Sequence, residues 1–140
     1  MRKLIAGMVM LAVLVCVFMP GVSFTEDKDT VLLAKTIYAL GKGESYETKL
    51  ALGSVVMNRV DNPWFEDDLG GVLTEQQQFP SGERYDDDSL QAAHAVLSGK
   101  RTLRSDAVYY RAADASVQWG EEGCVATVGN YSFYNINGNR

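Results

Sequence analysis

The chain has 140 residues, a formal net charge of −5, one histidine and two cysteines. Its basic residues form one small cluster, Lys100, Arg101 and Arg104. An acidic chain with so few grouped cations is a poor match for phosphate backbones, so no nucleic-acid partner is expected. A lone histidine and, past the leader, a lone cysteine cannot build a zinc site, and neither glycine-rich phosphate signature is present, so no metal and no cofactor are expected.

Residues 1–23 have the layout of a secretory signal peptide. Arg2 and Lys3 form the basic end, Leu4 to Phe18 the uncharged apolar run, and Pro20-Gly21-Val22-Ser23 a break with small residues before Phe24. An uncleaved anchor is the rival reading and the only route to a membrane. Cleavage leaves Cys124 as the sole thiol. The mature domain then stands on its apolar core without disulfides, and Cys124 is read as a small buried hydrophobe.

Residues 24–30 read as a short acidic linker. A helix over 31–40, capped by Asp29 or Thr30, carries the stripe Leu33, Ile37 and Leu40, and Gly41 and Gly43 end it. Ser45 caps a second helix over 46–60, where Leu52, Val55, Val56 and Arg59 follow helical spacing and Asn62-Pro63 provides the stop. Trp64-Phe65 falls in a loop, 69–73 in a helical turn, and Gln76 to Gly82 in a polar-aromatic loop. Asp86-Asp87-Asp88 suits a helix N-terminus better than a calcium loop, and Leu90, Ala93, His94 and Leu97 are the expected inward face of that helix. Ala107 to Arg111 reads as a strand. Residues 125–128, Gly129-Asn130 and 131–134 read as a β-hairpin, and 135–140 as a frayed tail. N-terminal helices followed by a small antiparallel sheet define an α+β fold, with a single domain over 31–134.

Carboxylates are the remaining chemistry. Glu44 follows a helix end and a glycine, within expected reach of Tyr38, Tyr46, Trp64 or Phe79. A carboxyl group shielded by aromatic rings holds its proton and can act as a general acid in glycosidic cleavage. The alternative is that Glu44 caps the second helix from the solvent side. Trp64, Phe65, Gln78, Phe79, Tyr109, Tyr110, Trp119 and Tyr131 suit a sugar-binding groove, and they equally suit an ordinary core. Tyr109 and Tyr110 are adjacent on a strand and must face opposite sides. His94, in mid-helix among small apolar residues, is read as structural.

In order along the chain, Ala34-Lys35-Thr36-Ile37-Tyr38, Gly43-Glu44-Ser45-Tyr46, Val55-Val56-Met57-Asn58-Arg59-Val60, Gly71-Val72-Leu73 with Gln78-Phe79, Ala107-Val108-Tyr109-Tyr110 with Trp119, and Val128-Gly129-Asn130-Tyr131-Ser132-Phe133 resemble the SleB-type cell-wall hydrolases, known for degrading spore cortex. The resemblance covers roughly residues 31–134. It implies a lysozyme-like α+β domain acting on peptidoglycan at the link between N-acetylmuramic acid and N-acetylglucosamine, in the manner of a lytic transglycosylase. One glutamate then protonates the leaving oxygen while the muramic 6-hydroxyl attacks its own anomeric carbon. The family pattern after the first helix is glutamate-alanine-arginine-glycine-glutamate. This chain has Leu40-Gly41-Lys42-Gly43-Glu44, so leucine stands where the resemblance implies the proton donor, and Tyr131 replaces the histidine of the closing motif.

The expected site is therefore Glu44 as the catalytic acid, with Tyr38, Asn58, Gln78, Phe79, Tyr109 and Trp119 binding substrate. Glu75 and Glu83 are alternative acids. The expected function is glycan-strand cleavage weakened by Leu40, and the alternative is a non-catalytic peptidoglycan-binding or spore-structural pseudoenzyme. A small secreted interaction protein is a third reading. Glycan strands are the expected partner, with room for an accessory protein, in the cell wall or the spore cortex.

Overall fold

Thr30, Leu33, Ala34 and Ile37 recur at i, i+3, i+4 and i+7, and all four are buried. That inward stripe forms α1 (Lys28–Gly41). In the computed structural model, which describes residues 27–75, 78–116 and 119–138, the helix therefore starts earlier than the sequence suggests. Residues 28–30 belong to it rather than to a linker, because the inward-facing Thr30 extends the stripe. Asp27 is the N-cap residue, without a side-chain cap bond. The leader read over residues 1–23 lies outside the described residues. Among those described, no helix is long and apolar enough to cross a membrane.

Ser45 caps α2 (Tyr46–Val60) as expected, its Oγ accepting from the Thr48 N–H at 3.2 Å. Burial is continuous from Thr48 to Val56, so α2 is the central helix of the domain. Gly53 makes close packing possible. A Cβ there would lie 3.0 Å from Val96 Cγ2 and 3.1 Å from Ile37 Cδ1, between the two flanking helices. The buried Lys49 sends its ammonium to Asp86 at 3.5 Å and Asp88 at 3.8 Å, tying α2 to the start of the last helix.

Asp68 caps the short α3 (Leu69–Thr74), and Asp86 caps α4 (Asp87–Leu97) by accepting from the Ser89 N–H at 2.8 Å. α4 packs across α1 and α2. Its inward face is Ser89, Ala92, Ala93 and Val96. Leu90 and Leu97 are half-buried at the margins and His94 is exposed. The expected face was rotated, because the small residues Ser89 and Ala92 let α4 approach the other helices more closely than leucines would.

Strands β1 (Tyr109–Ala112), β2 (Cys124–Val128) and β3 (Tyr131–Tyr134) form an antiparallel sheet in the order β1-β3-β2. Gly129 takes a φ of 57° in the β2–β3 turn, a left-handed value that suits glycine. Tyr131, Phe133 and Tyr134 are buried. Cys124 is exposed, contrary to expectation, because it opens an edge strand beside an irregularity in register between Cys124 and Ala126. Residues 135–138 are not frayed. Asn135 N–H donates to the Gly123 carbonyl at 2.8 Å, and Gly138 is buried against the Tyr134 ring.

Candidate active site

Arg59 organises one wall of the site. It sits on the apolar stripe of α2 and is 1% exposed. Its Nε donates to the Val108 carbonyl at 2.6 Å and its Nη1 to Gln78 Oε1 at 3.2 Å, while Glu75 Oε2 lies 3.7 Å from Nη1. Its guanidinium carbon stands 5.0 Å from the Phe65 ring, 4.7 Å from Phe79 and 5.4 Å from Tyr109. Burial pushes its pKa down, and the Glu75 charge acts in the opposite direction. One helical residue thus fixes two loops and the first strand.

Beside this wall opens a cavity of about 650 Å3. Trp64, Glu75, Gln78, Tyr109, Arg111 and Trp119 line it, and Glu75 lines the neighbouring cavity as well. Tyr109 and Trp119 meet edge to face at 5.9 Å, and Trp119 meets Tyr134 in the same way at 5.0 Å. Rings fixed by such contacts offer faces for the apolar side of a sugar at little entropic cost.

A smaller cavity of about 410 Å3 adjoins the first, Ala112 forming part of both walls. Leu40, Glu44, Asp114, Asn130 and Tyr131 line it. Glu44 is half-buried, and its Oε1 accepts from Asn130 Nδ2 at 2.8 Å. A Cβ on Gly129 would come within 2.8 Å of Glu44 Oε2 and would also meet Thr48, so the hairpin turn can close over the acid only with glycine there. Tyr131 donates from Oη to the Leu40 carbonyl at 2.6 Å, linking the hairpin to the end of α1. Burial, followed by the negative charges of Glu44 and Asp114, raises the Tyr131 pKa.

The residues named from sequence fall into two groups. Glu44, Gln78, Tyr109 and Trp119 stand on the cavity walls. Tyr38, Asn58 and Phe79 line neither cavity. Tyr38 lies half-buried on α1, with the Lys42 ammonium 5.9 Å from its ring centre. Asn58 is buried and spends its amide on the Arg104 carbonyl at 2.8 Å and the Ala107 carbonyl at 3.0 Å, so its geometry ties α2 to the approach to β1. Phe79 is a core ring stacked 5.5 Å from Tyr110, behind the wall. Of the rings expected beside Glu44, Trp64 is 75% exposed on the larger cavity, and it is Tyr131 that shares the smaller cavity with the acid. Among the alternative acids, Glu75 is half-buried on the wall of the larger cavity and paired with Arg59, whereas Glu83 is exposed and lines neither cavity. Sequence reading missed Arg111, Asp114 and Asn130. Arg111 could have been found as a charged residue directly after the Tyr109-Tyr110 pair, but no local pattern brings residue 130 to residue 44.

Tyr110 gives the wall a pH signature. Its Oη donates to the Gln78 carbonyl at 2.7 Å, and burial pushes its pKa up to about 12 despite the opposing Arg59 charge. The unfolded phenol titrates near ~10. Its contribution to stability is therefore complete below about pH 10 and declines as pH rises toward ~12, where the unfolded chain releases the proton first. Denaturant unfolding is expected to show a steeper loss over this interval for the natural chain than for Tyr110→Phe. Equal slopes would refute the assignment.

The family model described as Cell Wall Hydrolase matches residues 43–134. The chain belongs to the cell wall hydrolase family. Its relatives place it with the SleB type. It is 32% identical over 110 residues to a spore cortex-lytic enzyme of Bacillus subtilis (strain 168), covering 73% of this chain and 35% of that one. A spore cortex-lytic enzyme of Halalkalibacterium halodurans is 28% identical over 100 residues, covering 67% and 30%. The chain thus spans about a third of the length of these curated relatives. The catalytic domain of Bacillus cereus SleB superposes with a TM-score of 0.67 at 21% identity, covering 76% of this chain and 89% of that one. The catalytic domain of the germination-specific lytic transglycosylase SleB from Bacillus anthracis does so with 0.69 at 21%, covering 81% and 100%. That likeness bears on the fold, which is the expected lysozyme-like α+β arrangement of helices and a small antiparallel sheet.

Proposed function

We propose that this domain binds a peptidoglycan glycan strand along the two adjoining cavities and cleaves it slowly, with Glu44 as the proton donor. The observation that carries this reading is the Glu44 carboxyl on the wall of the smaller cavity, which meets the ring-walled cavity at Ala112. Glu44 gives its proton to the glycosidic oxygen as the bond to the anomeric carbon breaks. The muramic 6-hydroxyl oxygen bonds to that carbon, and its proton passes to the Glu44 carboxylate. No second carboxylate is needed. The names of the curated relatives point to spore cortex as the polymer, and the leader reading points to secretion.

A second reading, a glycan-binding domain without turnover, draws support from Leu40. This leucine presents an apolar side chain to the cavity at the position where the family resemblance implies an acid, and the Asn130 amide engages the remaining glutamate. Incubation with decoated spores or cortex glycan, followed by mass analysis of fragments, separates the readings. Anhydro-muramic ends support lytic cleavage, and ordinary reducing ends indicate attack by water. Retention on insoluble peptidoglycan without fragments selects the binding domain. For the catalytic reading, Glu44→Gln is expected to lower the rate by about 100-fold, the usual contribution of a general acid. An unchanged rate removes Glu44 from the mechanism.

A further inference from the structure

Among the described residues, Arg111 has no counter-charge. It lies in β1 on the wall of the larger cavity, half-buried, with its guanidinium carbon 4.3 Å from the centre of the Trp119 ring. Its Nε is shielded from solvent and has no hydrogen-bond partner. No carboxylate among the described residues pairs with it. The other arginines that meet acids are spent: Arg59 on Glu75, Arg101 on Asp61 and Arg104 on Asp106. Glu75 shares the cavity with Arg111, but its partner is Arg59.

A shielded guanidinium edge without an acceptor is costly in a folded chain, and stacking on an indole satisfies the face of the group but not its N–H edge. Because Nε is closed to solvent, it is the two terminal nitrogens of the planar fork that can meet a carboxylate through two parallel hydrogen bonds. In an acidic chain this is also the cation that the larger cavity presents to a bound strand. Neutral sugars make no use of that charge. Muramic residues with a free lactyl group or a stem peptide do, since such residues carry a carboxylate on the lactyl group or at the end of the peptide.

We propose that Arg111 receives a carboxylate borne by a muramic residue, so that the groove selects anionic glycan over neutral polymers of the same backbone. This rests on the glycan-strand reading above and assigns the larger cavity its specificity. The guanidinium grips the substituent while Tyr109 and Trp119 contact the ring.

The test is calorimetric titration, in the cold, of the natural domain and of Arg111→Gln and Arg111→Lys. Four tetrasaccharides serve as probes: a peptide-free strand with free lactyl carboxylates, a peptide-bearing strand, the peptide-free strand with its carboxylates amidated, and chitotetraose. Amidation is expected to weaken binding to the natural domain by about tenfold, the usual scale of a charge-assisted hydrogen bond. Arg111→Gln should bind free and amidated strands alike, and Arg111→Lys should recover part of the preference. Tighter binding of the peptide-free strand identifies the lactyl group as the source, and tighter binding of the peptide-bearing strand identifies the stem peptide. Equal affinity of the natural domain for free, amidated and chitin probes overturns the role of Arg111 while leaving the glycan groove standing. Binding of none of the four overturns both. The amidation comparison uses the unaltered protein, so it stands even if a variant folds poorly.

Discussion

Leu40→Glu is expected to raise the rate of glycan-strand cleavage by about 100-fold or more, the scale on which a positioned general acid acts. Leu40 is the penultimate residue of α1 and half-buried, and its side chain helps line the smaller cavity. Its backbone is held from the other side, where the Tyr131 hydroxyl donates to its carbonyl at 2.6 Å. A glutamate introduced there inherits a fixed Cα and a partly dry setting. With Glu44 and Asp114 on the same walls, a third carboxyl group would experience like-charge repulsion that favours its protonated form. The substitution gives up apolar packing worth about 1–2 kcal/mol, so a small fall in melting temperature should accompany the gain. The measurement is the release of soluble fragments from cortex glycan by the two proteins at equal concentration. A rate that does not rise means that residue 40 is not where the missing acid belongs. If Leu40→Glu is active and the natural chain is silent, the natural domain is a binder.

The largest loss of stability is expected from Arg59→Met, about 2–3 kcal/mol, because the buried Val108 carbonyl is left without its donor and the half-buried Glu75 without its counter-charge. Glu75 would lose its counter-charge, the Val108 carbonyl its donor at 2.6 Å, and three rings the cation they surround. For a domain of ordinary stability, about 5–15 kcal/mol, that is a large share of the total. Adding Glu75→Gln should recover part of the loss, since the stranded charge disappears with it. Urea unfolding of the two single variants and the double variant measures the coupling. A loss below about 1 kcal/mol for Arg59→Met, or strict additivity in the double variant, would show that the wall does not depend on this arginine.

The helical half was legible because its determinants are local. Ser45 as a cap, the stripe through Leu33 and Ile37, and the acidic start of α4 each act within one or two turns, and each is present as expected. The hairpin at Gly129-Asn130 was legible for the same reason. Small residues caused the errors. Thr30, Ser89 and Ala92 are buried and inward-facing, yet their side chains carry little apolar weight, so hydrophobic periodicity placed the start of α1 too late and turned α4 toward His94. Cys124 was misjudged because composition cannot tell an edge strand from a central one.

The candidate site was legible as residue types but not as positions. The chain by itself determined an acidic domain poor in histidine and cysteine, with an acid after a helix end, a supply of rings and amides, and a leucine where the family resemblance implies an acid. Which rings form a surface and which fill the core was decided by tertiary packing. Phe79 stacks behind the wall and Asn58 is consumed by two backbone carbonyls, whereas Tyr109 and Trp119 face open space. The pairing of Glu44 with Asn130 joins residues 86 positions apart in the chain, and the guanidinium of Arg59 reaches 49 positions onward to Val108. Contacts of that range arise only when separate elements bury a common core. A side chain's partners and exposure are properties of that assembly, and no window of neighbouring residues contains them.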